Sequence, residues 1–149
     1  MKCDCGKKLL ASVAVFVFKM VSGIVLCGGV FKWVYELMPT DVWRPVMPSK
    51  RLFLGLFLAS LLFVIGYKIL GCALTGMGKA KKGLVYGFTI WLAGIVPGMI
   101  MTYITMTVNS TVILYWTVML FVLTPVQGVI VAMIMGDDSS ESCCCVKKP

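Results

Sequence analysis

Residues 111–135 read TVILYWTVMLFVLTPVQGVIVAMIM and contain no Asp, Glu, Lys or Arg. A helix needs about 20 apolar residues to cross the hydrocarbon core of a bilayer, and this run is longer than that. Three further apolar runs of similar length lie at about 9–31, 52–74 and 84–107. The sequence therefore predicts an all-α integral membrane protein, a bundle of four transmembrane helices joined by short loops.

The overall composition agrees with a protein that is solvated by lipid. The chain has 149 residues, of which 60% are hydrophobic, and its mean hydropathy is +0.97. A soluble domain is about 45–50% apolar, so this excess requires an apolar solvent. We expect residues 1–136 to form one transmembrane domain and residues 137–149 to form a flexible polar tail that contains cysteines.

The first apolar run has features of a signal peptide, because lysines precede it and Cys27 lies near its end. However, Leu26 is not the small residue that a lipoprotein cleavage site needs before the cysteine. The run is also too long, and Lys19 interrupts it. We therefore interpret it as a retained membrane span.

Basic residues near the span ends predict the orientation of the bundle. The formal net charge of the chain is +8. In membrane proteins, the loops that are rich in Lys and Arg stay on the cytoplasmic side. The side of the membrane that carries the termini has the larger number of basic residues: Lys2, Lys7, Lys8, Lys68, Lys79, Lys81, Lys82, Lys147 and Lys148. The first loop, on the other side, contains Lys32, Arg44, Lys50 and Arg51. We expect both termini to be cytoplasmic, in a bacterial inner membrane.

Small residues predict which helix faces pack. Gly83, Gly87, Gly94 and Gly98 fall within roughly 60° of one another at 100° per residue, and helices in lipid approach closely at such faces. This stripe is expected to pack within the chain, or to form contacts between copies in a homo-oligomer.

Lys19 is the unusual residue of the first span, since a cation in the middle of a bilayer is costly. It shares a helix face with Ser12, Gly23 and Cys27, so we expect it to turn toward the other helices. The spans contain no Asp or Glu that could pair with it. Thr124 and Gln127 lie at a similar depth, and Pro97 leaves the carbonyl of Ala93 without its helical donor.

Lys19, Thr124 and Gln127 are therefore predicted to form a polar cluster within the membrane. Two interpretations of this cluster remain open. It is either a site for an anion or polar solute, or a structural arrangement in which Lys19 reaches toward the interface or caps free carbonyl oxygens.

Cysteines are concentrated near the two ends of the chain, and a cytoplasmic location would keep them reduced. Thiolates bind soft metals, although neither end has the spacing of an ordinary zinc site. Palmitoylation in a eukaryotic host and a merely incidental role are the alternatives. The candidate metal ligands are Cys3, Cys5, Cys143, Cys144 and Cys145.

Enzymatic activity is not expected. The chain has no histidine, which removes the commonest general base and any Ser-His-Asp or Cys-His set. A phosphate-binding loop of the G-x-x-x-x-G-K-[ST] type is also missing from the sequence.

The second half of the chain has Tyr86-Gly87 at the start of the third span, Pro97-Gly98-Met99 within it, a very short hairpin, and Trp116 in a plain fourth span. In these features, residues 82–136 resemble a group of uncharacterised small four-span proteins of bacterial inner membranes. The resemblance implies the same four-span architecture, and it carries no known activity.

The sequence thus leads to three expectations about function. The first is a non-enzymatic membrane protein that acts as a partner or structural subunit. The second is a transporter or channel for a small solute or ion, working as an oligomer with a site at Lys19. The third is binding of a soft metal by cytoplasmic thiols. The lipid bilayer is the expected partner, and neither a cofactor nor nucleic acid is indicated.

Overall fold

The structure is a computed structural model that describes residues 4–30, 49–71, 73–74, 76–106 and 108–136. Helix α1 runs over Asp4–Gly23 and continues as wider π-helical turns over Ile24–Val30. Helices α2, α3 and α4 span Ser49–Leu70, Lys79–Thr105 and Ser110–Met135. The described residues contain no strand, and all four helices are long and apolar enough to cross a membrane. The predicted all-α bundle of four transmembrane helices is therefore confirmed.

The helix ends differ from the ends of the apolar runs. Helix α3 begins at Lys79 instead of 84, because lysines form helix readily even where they are too polar for the hydrocarbon core. Helix α2 ends at Leu70 instead of 74, and the chain turns at Gly71 and Gly76, the latter with a φ of 86°. Hydropathy marks the part of a helix that lies in lipid, whereas backbone hydrogen bonding sets where the helix stops.

Helix α3 consists of two α-helical halves, Lys79–Ile90 and Val96–Thr105, joined by a π-helical turn over Trp91–Ile95. Pro97 lacks an N–H group, and its ring would crowd the carbonyl four residues earlier. The wider turn, in which the N–H of Val96 donates to the carbonyl of Trp91, relieves this crowding. It also changes the rotation between the two halves of α3.

The main core lies at the end of the bundle where α1 begins and α4 finishes. Tyr67 of α2 and Tyr86 of α3 pack there edge to face, with ring centroids 5.1 Å apart. The Tyr86 hydroxyl donates a hydrogen bond of 2.6 Å to the carbonyl of Phe63. A smaller core, which includes Val108 and Val112, lies at the opposite end. This distribution leaves the middle of the bundle less filled than the end that holds the main core.

The first half of α3 is packed closely against α4 through glycine. A methyl group at Gly87 would lie 2.5 Å from the Thr124 carbonyl oxygen, and one at Gly128 would collide with the Gly83 carbonyl oxygen. The second half of α3 contacts α4 sparsely, and none of its residues is buried. Trp91 joins the helices at the transition, where its Nε1–H donates to the Thr117 carbonyl at 3.1 Å.

The predicted glycine stripe of α3 is therefore divided. Gly83 and Gly87 are buried against α4, whereas Gly94 and Gly98 are exposed. Apart from its chain neighbours and the adjacent backbone of its own helix, a methyl group added at Gly94 or Gly98 would meet no described atom within 4 Å. The expectation of a single face assumed 100° per residue throughout α3. The π-helical turn between the two pairs breaks that regularity.

Candidate functional site

A cavity of about 390 Å³ lies in the middle of the bundle, and all four helices contribute to it. We call it the Lys19 cavity. Its lining consists of Lys19, Ser22 and Gly23 of α1, Leu56 and Phe63 of α2, Ile90 and Ile95 of α3, and Met119, Leu120, Leu123, Thr124 and Gln127 of α4.

The ammonium group of Lys19 faces an aromatic ring in this cavity. Its Nζ atom lies 5.7 Å from the centroid of the Phe63 ring, within the range of a cation–π interaction. The side chain is half-buried, and within the described part of the chain it forms neither an ion pair nor a hydrogen bond. Lys19 lies 13 residues into the Gly6–Leu26 span, or about 20 Å along the helix. The cation is therefore deep in the bundle, with an aromatic ring as its neighbour.

Thr124 and Gln127 present the other polar groups of the cavity. They are 3% and 4% exposed. Other hydroxyls within the helices, such as those of Ser60 and Thr117, donate to the carbonyl four residues earlier. The side chains of Thr124 and Gln127 form no hydrogen bond with any residue that the structure describes. Buried polar groups ordinarily have a partner, so these two are suited to receive one in the cavity.

The local sequence explains why these side chains reach the cavity. Thr124 and Gln127 are three residues apart on α4, so they lie on one helix face. The same face brings Gly128 against Gly83, which holds α3 and α4 in contact just beside the cavity. Ser22 is three residues after Lys19 and accordingly lines the same side; its hydroxyl donates to the Phe18 carbonyl at 2.7 Å.

The structure brings Lys19, Thr124 and Gln127 together around one cavity, and their role as a functional site stays a prediction. Ala93, whose carbonyl was also expected in the cluster, is exposed and does not line the cavity. Ala93 lies within the π-helical turn Trp91–Ile95, where the rotation per residue departs from that of an α-helix. Phe63 was missed, because nothing in the local sequence of α2 indicates which of its many apolar residues faces Lys19.

A second lysine is more deeply buried but occupies a different place. Lys82 is 4% exposed, and its Nζ atom lies 5.9 Å from the centroid of the Tyr67 ring. It belongs to the first turn of α3, at the end of the bundle that carries the main core. Its long apolar stem can be buried there while the charge stays near the interface, as is usual for lysines at span ends.

The side chains of the predicted metal ligands lie outside the described part of the structure. Cys3, Cys143, Cys144 and Cys145 are not described, and neither is the side chain of Cys5. Within the described side chains, no group of three or more His, Cys, Asp or Glu residues comes together. The thiol site therefore stays a prediction from the sequence.

No protein-family model, curated protein or solved structure matches the chain. The resemblance to small bacterial inner-membrane proteins thus stays a prediction.

Proposed function

We propose that this protein is a non-enzymatic membrane protein that binds a small anionic or polar solute in the Lys19 cavity and passes it through the bilayer, as a transporter or channel does. The observation that carries the proposal is the cavity itself. It combines one cation with two nearly buried polar side chains in the middle of a bundle of membrane-spanning helices.

The size of the cavity supports this proposal. Sites for small molecules usually enclose about 300–1,000 Å³, with mostly apolar walls and a few converging polar groups. At about 390 Å³, the Lys19 cavity lies within this range. Its walls are also mostly apolar, since Lys19, Ser22, Thr124 and Gln127 are the polar side chains among its lining residues. If Lys19 only served packing, side chains would be expected to fill the space around it.

The charge of Lys19 supports an anion as the solute. A cation removed from water is unfavourable without a compensating charge. The sequences of α2, α3 and α4 contain no acidic residue that could supply this charge. The acidic residues of the chain are Asp4, Glu36, Asp41, Asp137, Asp138 and Glu141. An anionic solute would supply that charge. The amide N–H of Gln127 and the hydroxyl of Thr124 would then donate further hydrogen bonds.

We also propose that the protein lies in a bacterial inner membrane with both termini in the cytoplasm. The distribution of lysines near the helix ends supports this orientation. Topology puts the start of α1, the end of α2 and the start of α3 at the same end of the bundle, and these segments contain Lys7, Lys8, Lys68, Lys79, Lys81 and Lys82.

The test uses the Lys19→Leu variant in proteoliposomes loaded with sodium chloride or sodium acetate, with anion efflux as the readout. We expect efflux from the wild type, at least a tenfold loss in Lys19→Leu, and no loss in the control Lys68→Leu. Lys68 is also a lysine within a span, but it does not line the cavity. If Lys19→Leu retains efflux and gains stability, the lysine serves no site and this function is wrong.

The second candidate function is that of a partner or structural subunit of a membrane complex. One observation favours it: the exposed small residues Gly94 and Gly98 leave a face of α3 that another helix could approach closely. A Gly98→Leu substitution would then reduce the size of the detergent-solubilised particle while leaving the fold intact. An unchanged particle size and unchanged co-purifying proteins would contradict this candidate.

A further inference from the structure

An apolar groove of about 500 Å³ lies between the π-helical end of α1 and the first half of α4. Leu26 lines it on the α1 side, and Leu114, Val118 and Val122 line it on the α4 side. Met119 and Leu123 line both this groove and the Lys19 cavity. The two spaces are therefore adjacent along α4 and share these two side chains in their linings. Taken together, they make a slot that is polar at the Lys19 end and apolar along the groove.

The slot follows α4 over a long distance. Its furthest lining residues on that helix are Thr111 and Gln127, which are separated by about 24 Å at 1.5 Å per residue. The groove is also open on its side, since Leu114, Val118 and Val122 are 65%, 57% and 58% exposed. In a membrane this side faces lipid, so a ligand would enter from the acyl-chain region of the bilayer.

We propose that the slot binds a free fatty acid, with its carboxylate at Lys19 and its acyl chain in the apolar groove. This inference rests on the proposed function, since it assigns a ligand class to the same Lys19 cavity. Lys19, Gln127 and Thr124 offer an ammonium, an amide N–H and a hydroxyl to the two carboxylate oxygens. The charge of the carboxylate complements the cation, and its chain replaces lipid along the groove.

The residues that line the slot favour a fatty acid over other anions. A small inorganic anion would be held only by one cation and two neutral donors, whereas a fatty acid also gains from burying its acyl chain along the groove. A phospholipid carries its charge at the membrane interface, whereas Lys19 lies within its span, about 20 Å from Gly6 and about 10 Å from Leu26. A fatty acid has one compact head and one apolar chain, which match the single polar end and the apolar length of the slot.

Binding of radiolabelled dodecanoate to the purified full chain in lipid nanodiscs tests the inference, with butyrate, chloride and dodecanol as comparison ligands. We expect dodecanoate to bind at least tenfold more tightly than butyrate and at least tenfold more tightly than dodecanol. Lys19→Leu should bind dodecanoate at least tenfold more weakly than the wild type. It should bind dodecanol as the wild type does, because the groove itself is unchanged in this variant. Lys68→Leu should behave as the wild type.

A groove variant separates this inference from the proposed function. Val118→Trp fills the groove away from Lys19, so it should weaken dodecanoate at least tenfold and leave butyrate unchanged. If butyrate or chloride binds in a Lys19-dependent manner and dodecanoate gains nothing from its chain, the fatty-acid inference is wrong and the proposed function stands. If no ligand depends on Lys19, both are wrong.

Discussion

The contact between α3 and α4 leaves no room for a methyl group at Gly128, so Gly128→Ala tests how the bundle is held together. The added carbon would collide with the Gly83 carbonyl oxygen and would lie 3.0 Å from the backbone nitrogen of Gly87. These neighbours are backbone atoms of a helix and cannot move aside as a flexible side chain could. The two helices must therefore separate to accept the substitution.

The expected cost follows from two opposing effects. Overpacking a well-packed interior costs about 1–3 kcal/mol, and occasionally more. Alanine favours helix over glycine by at most about 1 kcal/mol. Because helices in lipid associate mainly through close packing, separation also weakens the neighbouring contacts of Gly83 and Gly87. We expect a net loss of about 2 kcal/mol, or about thirtyfold in the unfolding equilibrium constant.

The measurement is equilibrium unfolding of the purified protein in mixed micelles, followed by steric trapping or by helicity. Gly98→Ala is the matched control, since it makes the same change in α3, where the new methyl group meets no described atom of another helix within 4 Å. It should leave stability unchanged or raise it by up to about 1 kcal/mol. If the two variants have equal stability, the close approach of α3 and α4 at Gly128 is not what stabilises this pair.

Two further substitutions test individual hydrogen bonds by the same unfolding measurement. Tyr86→Phe removes the hydroxyl that donates to the Phe63 carbonyl at 2.6 Å, and we expect a loss of about 1 kcal/mol; no loss would show that this bond adds nothing to α2–α3 packing. Asn109→Ala removes the side chain that accepts from the N–H of Thr111 at 3.0 Å at the start of α4, with an expected loss of about 1 kcal/mol. Ser110→Ala is its control, and equal effects of the two changes would contradict the cap.

The sequence alone was enough to predict four membrane-spanning helices and the depth of their polar residues. Both follow from local properties, since an apolar run of sufficient length is driven into lipid whatever its neighbours are. The depth of a residue then follows from its distance to the end of its helix. For this reason Lys19, Thr124 and Gln127 could be expected at a common level before their contacts were known.

The rotation of each helix about its axis was decided only by tertiary structure. Hydropathy carries little information about rotation in lipid, because lipid-facing and protein-facing residues are similarly apolar. The π-helical turn before Pro97 separates Gly83 and Gly87 from Gly94 and Gly98. Ala93, which lies within this turn, is exposed and does not line the cavity.

The neighbours of Lys19 were likewise decided only by tertiary structure. Phe63 faces it from α2, and a groove lined by Leu26 and the first half of α4 lies next to its cavity, with Met119 and Leu123 lining both. These features depend on contacts between helices that are far apart in the chain. The sequence determined that a lysine would lie within an apolar helix long enough to cross a membrane, and the packing of four helices decided what space surrounds it.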